Sequence, residues 1–378
     1  MKNYGLLFIA LTAMLSASGC APRRAAVSPA EPQTPRVENV ILMIGDGMGV
    51  AAVTQHILEN GLRPVAMERA EAVGLVRTFS ANNRVTDSAA AGTAIATGTK
   101  TNNSRLGRTP EGDDLKSILV RAQETGYPTG LVVTVDLFDA TPGAFYAHVH
   151  NRKSRDTITV QLLGSGIDVA MGGGRKYLEE RADGRNLTDE FRAKGYNVAY
   201  ELEEVSPVSE GQLLAVLAPD ILPYHVNGRG DYLPQATGKA LEILLNNRDT
   251  RGSRGFFLMV EGSLIDYAAH DNLTKELIGE TQDFDRAVKV AFDYADRNPG
   301  TLVIVTADHE TGGLTMPSND KDFSAAESGV DYRYSTGSHT ASLVPLFAYG
   351  TGASEFSRVL DNTDLSRIIA RLLGIAWE

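Results

Sequence analysis

From residue 38 onward, short uninterrupted apolar runs alternate with longer stretches that mix apolar and charged positions. NVILMI (39–44), GLVVTV (130–135), FFLMV (256–260), TLVIVT (301–306) and LVPLFAY (343–349) are almost free of polar side chains. Short runs of this kind predict strands buried on both faces. Between them, ATGKALEILLNNR (236–248) and the segment from Thr274 to Arg297 predict helices. TDLSRIIARLLGI predicts a closing helix with Thr363 as its N-cap. Buried strands alternating with helices predict an α/β fold, a doubly wound and mainly parallel central sheet with helices on both faces.

The N-terminus breaks this pattern. Lys2 precedes the apolar stretch GLLFIALTAML, and ASGC follows it. A membrane span needs roughly 20 apolar residues, so this run predicts a processed export signal over residues 1–19. Small residues before Cys20 predict a lipoprotein-type signal, with Cys20 as the lipidated first residue, the alternative being an ordinary secretory signal ending nearby. Residues 20–37, rich in proline and alanine, predict a flexible tether, and residues 38–378 a folded domain. The expected location is the periplasm or the outer membrane, with membrane contact only through Cys20. Cys20 is the only cysteine, so no internal disulfide forms. A net charge of −11 argues against a nucleic-acid partner, which demands a basic face. Bound metal ions would still let an acidic protein hold phosphate.

Candidate chemistry falls at the ends of the apolar runs. Asp46 follows NVILMIG, Glu261 follows FFLMV, and Asp308 with His309 follows TLVIVTA. That edge is where open α/β sheets bind ligands. EGSLIDYAAH places Asp266 and His270 four apart, on one helical face, although this spacing alone also suits a surface pair. Asp308 and His309 are adjacent and reach one ion only if the chain bends, which Gly312 and Gly313 permit. STGSHT adds His339 in a loop. Histidines with carboxylates suit zinc, whereas the oxygen-only set of Asp139, Thr141 and Glu261 suits magnesium. RVTDSAAAGTAIATG (84–98) puts Asp87 and Ser88 ahead of a helix-like run of small residues. By itself that stretch fits a helix cap as well as a nucleophile. MGGGRKYL (171–178) lacks the lysine and serine of a phosphate-binding P-loop and predicts a turn after the strand IDVAM.

Six stretches together carry a resemblance. IGDGMG (44–49), TDSAAAGTAIATG (86–98), DATPGAFYAHVHNRK (139–153), EGSLIDYAAH (261–270), ADHETGG (307–313) and GSHT (337–340) resemble, in that order, the motifs of bacterial alkaline phosphatases. The likeness extends over most of residues 38–378 and implies hydrolysis of phosphate monoesters through a phosphoserine intermediate. It implies a first zinc ion on Asp266, His270 and His339. A second would sit on Asp46, Asp308 and His309, with Ser88 as a further ligand. Asp46 would also bridge to a magnesium ion completed by Asp139, Thr141 and Glu261. Ser88 would be the nucleophile, its hydroxyl acidified by zinc and its helix N-terminus favouring an anion. Arg152 would grip two phosphate oxygens with its planar fork.

Two departures stand out. Tyr267 occupies a position where the best-studied bacterial members carry lysine, and some relatives histidine or tryptophan. This implies altered phosphate release and pH optimum. The stretch between His309 and His339 is short where many relatives insert a segment used in dimer contacts, which leaves a homodimer open. Within the same superfamily the rival readings are a phosphodiesterase and a sulfatase, the latter disfavoured because Ser88 is followed by AAAG. A rival of another class is a non-catalytic lipoprotein that sequesters zinc or phosphate, which would need no serine at position 88.

Overall fold

The apolar runs become the middle of one ten-stranded sheet. In chain order the strands of the computed structural model are β1 (Asn39–Gly45), β2 (Ala72–Arg77), β3 (Thr129–Asp136), β4 (Val169–Gly173) and β5 (Asn197–Ala199). They continue with β6 (Leu213–Val216), β7 (Phe257–Gly262) and β8 (Thr301–Thr306). Four two-residue strands follow, β9 (Glu310–Thr311), β10 (Leu314–Thr315), β11 (Arg333–Tyr334) and β12 (His339–Thr340), then β13 (Val344–Gly350) and β14 (Val359–Asp361). The structure describes residues 36–322, 324 and 329–377. The expected export signal, Cys20 and all but the last two tether residues lie outside the described residues.

Sheet order is β14-β2-β13-β8-β1-β7-β3-β4-β6-β5. Only β13 runs against its neighbours β2 and β8; the other pairings are parallel. Every residue of β1, β3, β7 and β8 is buried. Since successive strand residues point to opposite faces, both faces of the sheet are covered there. The strands without a long apolar run, β2, β5, β6 and β14, lie towards the two edges, where β2 alternates between buried and more exposed residues.

Helices also follow the sequence pattern, with one correction. The long helix spans Thr274–Arg297, and the 236–248 pattern lies within a helix over Tyr232–Arg251. The closing helix runs Asn362–Leu373, and its N-cap is Asp361 rather than Thr363. Asp361 has the extended backbone of a cap; its carboxylate accepts the Thr363 N–H at 3.2 Å, and Asp364 accepts the Asp361 N–H at 2.9 Å. A carboxylate on an extended residue reaches the first free N–H groups, whereas Thr363 is already within the helix and uses its hydroxyl on Asp361. The glycine run at 171–174 ends β4 and turns at Gly174, with φ at +102°, into a short helix.

One consequence of this topology matters most. β8, β1, β7 and β3 are adjacent and parallel, so their C-terminal ends open on one edge. Ile44 aligns with Glu261 on one side and Thr306 on the other, and Glu261 aligns with Val133. The loops that carry Asp46, Asp139 and Asp308 therefore start side by side.

Behind β7, Arg229 lies between Glu280 and Asp283 of the long helix, 2.7 Å from each, and all three side chains are at most 1 % exposed. Removing the guanidinium leaves buried Glu280 without its cation and Asp283 with Arg286, at 2.8 Å, as its remaining arginine, a change that costs about 3–5 kcal/mol in comparable buried networks. Arg229→Met is expected to lower the unfolding free energy by that amount, read as a lower denaturant midpoint at unchanged m-value; a midpoint equal to wild type would refute it.

Candidate active site

Beyond β1 the chain must turn sharply for Asp46 to face the edge. Gly47 makes the turn at φ +70°, and a Cβ there would lie 2.8 Å from both Asp266 Oδ1 and Thr311 Oγ1. Its N–H donates to Asp308 Oδ1 at 3.2 Å, tying the β1 loop to the β8 loop. The bend expected after Asp308 is present. β9 leaves the sheet and pairs antiparallel with β12, which sets His339 opposite Thr311. The helix Leu264–His270, directly after β7, supplies Asp266 and His270 from one face.

Three imidazoles meet in this space, each held the same way. His270 Nδ1 donates to Gly337 O at 2.9 Å and His339 Nδ1 donates to Thr86 O at 2.8 Å. His309 Nδ1 lies 3.1 Å from Thr311 Oγ1, and that hydroxyl donates onward to Asp266 Oδ1. With Nδ1 the outward donor in all three, each Nε2 faces the centre, where it can take a cation or, in His270, a proton shared with Asp266. His270 and His339 bring these nitrogens within 3.1 Å of each other, and the rings of His309 and His339 stack at 3.6 Å. Lone pairs facing at that distance call for a proton or a cation between them.

Carboxylates complete two sets. Asp266 lies 3.2 Å from His270 Nε2 and 3.7 Å from His339 Nε2. His309 Nε2 is 3.4 Å from Asp46 Oδ1 and 3.2 Å from Asp308 Oδ2. Candidate ligand atoms of Asp46, Asp308 and His309 lie within 4.8 Å of one another, as do those of Asp266, His309 and His339. The oxygen-only residues adjoin them, with Thr141 Oγ1 at 3.4 Å from Asp46 Oδ2.

Electrostatics point to missing positive charge. Asp46 Oδ1, Asp308 Oδ2 and Glu261 Oε2 are buried without a hydrogen-bond partner. Burial first, then the neighbouring carboxylates Asp308, Asp266 and Glu261, push the Asp46 carboxyl well above its usual range. Burial and the charge of Asp266 raise Asp308 to about 7. Burial and Asp139 raise Glu261. Asp266 behaves oppositely: burial disfavours its charge, but the His270 hydrogen bond and the nearby imidazoles hold it below the carboxylate range. The hydrogen bond to Asp266 lifts His270 to about 9, while burial and His339 keep His309 neutral. Orphaned buried oxygens beside inward-facing imidazole nitrogens fit divalent cations, with nitrogen-bearing sets suited to zinc and the oxygen set to magnesium.

Ser88 and Arg152 border this cluster. Ser88 opens the helix Ser88–Thr97 and is 3 % exposed, with Oγ 3.2 Å from His309 Nε2. The capping role falls to the neighbouring residue. Asp87 is the cap, accepting the Ala90 N–H at 2.9 Å, and its other oxygen accepts the Ser104 N–H at 2.8 Å. Ser88 is thereby free to face the cluster. Arg152 reaches Asp139 Oδ1 at 3.1 Å and lies 3.9 Å from Asp87. Ser88, Arg152, Asp266, Tyr267, His270, Asp271 and His339 line an open cleft of about 250 Å³.

The candidate catalytic and metal-binding residues predicted from sequence thus gather at one edge. Sequence reasoning missed the supports: Thr311, Gly47, the Thr86 and Gly337 carbonyls, and Arg155, whose guanidinium lies 3.3 Å from Asp139 Oδ1. Thr311 sits two residues past His309 within ADHETGG, a weak signal; backbone carbonyls leave none.

Comparison with known proteins agrees with this geometry. The alkaline phosphatase family model matches residues 37–329. Alkaline phosphatase 4 of Bacillus subtilis is 32% identical over 416 aligned positions, covering 89% of this chain and 89% of that protein. Alkaline phosphatase of Escherichia coli is 33% identical, covering 89% and 86%. Among solved structures, alkaline phosphatase from the Antarctic bacterium TAB5 superposes with a TM-score of 0.83 at 32% identity, covering 91% of this chain and 100% of that one. A helix-backed serine, an arginine and two sets of converging ligands, on a sheet of this order, accompany those matches: the chain belongs to the alkaline phosphatase family.

Proposed function

We propose that this hydrolase cleaves phosphate monoesters to alcohol and inorganic phosphate, with Ser88 as nucleophile and Arg152 as the grip on the phosphoryl group. One observation carries the reading. The Nδ1 atoms of three histidines are tied outward while their Nε2 atoms converge with orphaned carboxylate oxygens beside the Ser88 hydroxyl. Asp266, His270 and His339 would hold one zinc ion, and Asp46, Asp308 and His309, with Ser88, a second. Asp46, Thr141 and Glu261, with the Asp139 oxygen not engaged by arginine, would hold magnesium. Such cations, when bound, supply Lewis-acid polarisation and offset the charge of this acidic cluster.

The chain's own groups then divide the work. Arg152 binds two non-bridging oxygens and orients phosphorus towards Ser88. N–H groups at the start of the Ser88–Thr97 helix favour the negative charge on those oxygens. Ser88 Oγ gives up its proton and bonds to phosphorus as the ester P–O bond breaks. The departing oxygen takes up a proton to leave as the alcohol, so protons balance over the step. Water then attacks the phosphoserine, releasing inorganic phosphate and restoring the hydroxyl. The cleft of about 250 Å³ suits a phosphoryl group and the first atoms of its alcohol, in keeping with recognition of the phosphate rather than of the rest. Export, and a lipid anchor on Cys20, remain part of the reading and are carried by the sequence of residues 1–20.

Ser88→Ala is expected to reduce turnover of p-nitrophenyl phosphate by at least about 10³-fold while phosphate still binds. Retention of turnover would sink the nucleophile assignment, and faster cleavage of bis-p-nitrophenyl phosphate by the wild type would favour a diesterase.

Metal removal is expected to make stability depend on pH in a defined sense. Asp308 gives up its proton near 3.8 when unfolded but near 7 when folded, so its burial costs stability as pH rises across that window. His270 keeps its proton to about 9 when folded against 6.5 when unfolded, so its stabilising pairing is fully present below 6.5 and lost through 9. Chelated protein should therefore melt progressively lower from pH 5 to pH 8, and zinc should restore the melt most at the alkaline end. A flat profile without metal would contradict the cluster's electrostatics.

Tyr267 places its hydroxyl 3.4 Å from Asp139 Oδ2. Tyr267→Lys would bring a cation there and is expected to slow phosphate release and shift the pH optimum; unchanged kinetics would remove Tyr267 from the phosphate-release step.

A further inference from the structure

Arg155 lies three residues beyond Arg152, at the first turn of the helix Arg155–Gly164, and it does not line the cleft. Its guanidinium nevertheless reaches the same oxygen that anchors Arg152. Asp139 Oδ1 accepts from Arg152 Nη2 at 3.1 Å, from Arg155 Nη1 at 3.3 Å and from Arg155 Nη2 at 3.4 Å. Arg155 Nη2 also pairs with Asp136 Oδ2 at 3.0 Å, and Nη1 donates to the Phe138 carbonyl. Its plane lies over the Tyr177 ring, 5.4 Å from the centroid.

This is a fork held on several sides. Asp136 ends β3, is 1 % exposed and is therefore rigid; its other oxygen accepts the Phe138 N–H at 3.0 Å. A guanidinium fixed to such a carboxylate and stacked on an aromatic ring has little rotamer freedom left. Asp139 sits between two arginines: Arg155 towards the protein, Arg152 towards the cleft. Tyr267, at 3.4 Å from the opposite oxygen, adds no charge. Among the chain's own groups, Arg155 supplies the counter-charge that remains on Asp139 Oδ1 when Arg152 turns to a phosphate ligand.

We propose that Arg155 is a positioning residue for phosphate binding: it pins Asp139, through buried Asp136, so that Arg152 is held ready to take two phosphoryl oxygens. The proposal rests on Arg152 being the phosphate grip. Without Arg155, Asp136 and Asp139 repel one another, Asp139 turns, and Arg152 loses the anchor that limits its search. Freezing a long side chain in its binding geometry before the ligand arrives raises affinity without adding a contact. The effect therefore falls on phosphate binding and KM more than on kcat.

The test uses the metal-loaded full chain, with inorganic phosphate as probe, read by titration calorimetry and by competitive inhibition. Arg155→Met is expected to raise the phosphate Kd, its inhibition constant and KM together by about tenfold, as for loss of a charge-assisted contact, with kcat within about threefold. Arg155→Lys should recover part of the affinity. If Arg155→Met fails to fold because Asp136 is left unpaired, the double variant Arg155→Met with Asp136→Asn removes the buried charge and should show the same loss of phosphate affinity. Wild-type phosphate affinity in a folded variant, with only a lower melting temperature, overturns the proposal. Arg152→Ala separates the two readings. If it leaves phosphate affinity unchanged, the grip assignment itself fails; if it weakens binding while the Arg155 variants do not, only the positioning role fails.

Discussion

Too much negative charge in too small a volume is the condition around which this protein is organised. Asp46, Glu261, Asp266 and Asp308 are all buried at one edge of the sheet, with Asp139 beside them. Two like charges about 4 Å apart repel by roughly 4 kcal/mol even at an effective dielectric near 20. A fold built only for stability would not gather them. The positive charge that balances them comes in part from Arg152 and Arg155, while Asp46 Oδ1, Asp308 Oδ2 and Glu261 Oε2 have no hydrogen-bond partner and suit cations.

Holding that cluster together requires the supports to be stiffer than the ligands. Each histidine is fixed by its outer nitrogen, two of them to backbone carbonyls, so its inner nitrogen cannot swing away. Thr311 serves two candidate ligands at once, accepting from His309 and donating to Asp266. Gly47 lets the loops after β1 and β8 approach until a backbone N–H meets Asp308. Asp139 gives one oxygen to arginines and turns the other towards Tyr267 and the cleft. Precision at the site thus derives from hydrogen bonds to main chain and from short polar side chains, which have few alternative rotamers.

Much of this was legible in the residues themselves. β1, β3, β7, β8 and β13 announced themselves as apolar runs because strands buried on both faces have no polar alternation to disguise them. β2, β5, β6 and β14 did not: β5, β6 and β14 are short, β2 alternates with more exposed residues, and all lie nearer the sheet's edges, where local pattern is weak and pairing partners decide. The closing helix was visible but its cap was misplaced by two residues: threonine and aspartate both cap well, and only the observed backbone angles separate Asp361 from Thr363. Asp87 and Ser88 were an ambiguous pair until the structure assigned capping to the first and left the second facing the cluster.

By itself the sequence determined where the buried strands lie and which candidate residues follow them, because hydrophobic periodicity and motif spacing are local properties. It also determined the family, because six motifs recur in one order. Tertiary structure alone decided that four of those strand ends lie side by side, since strand order depends on contacts between residues hundreds of positions apart. It decided as well which oxygen of each carboxylate is free and which nitrogen of each histidine faces inward. Those outcomes depend on carbonyls, hydroxyls and guanidinia from distant segments, and a hydrogen bond between such partners leaves no trace in the linear order of side chains.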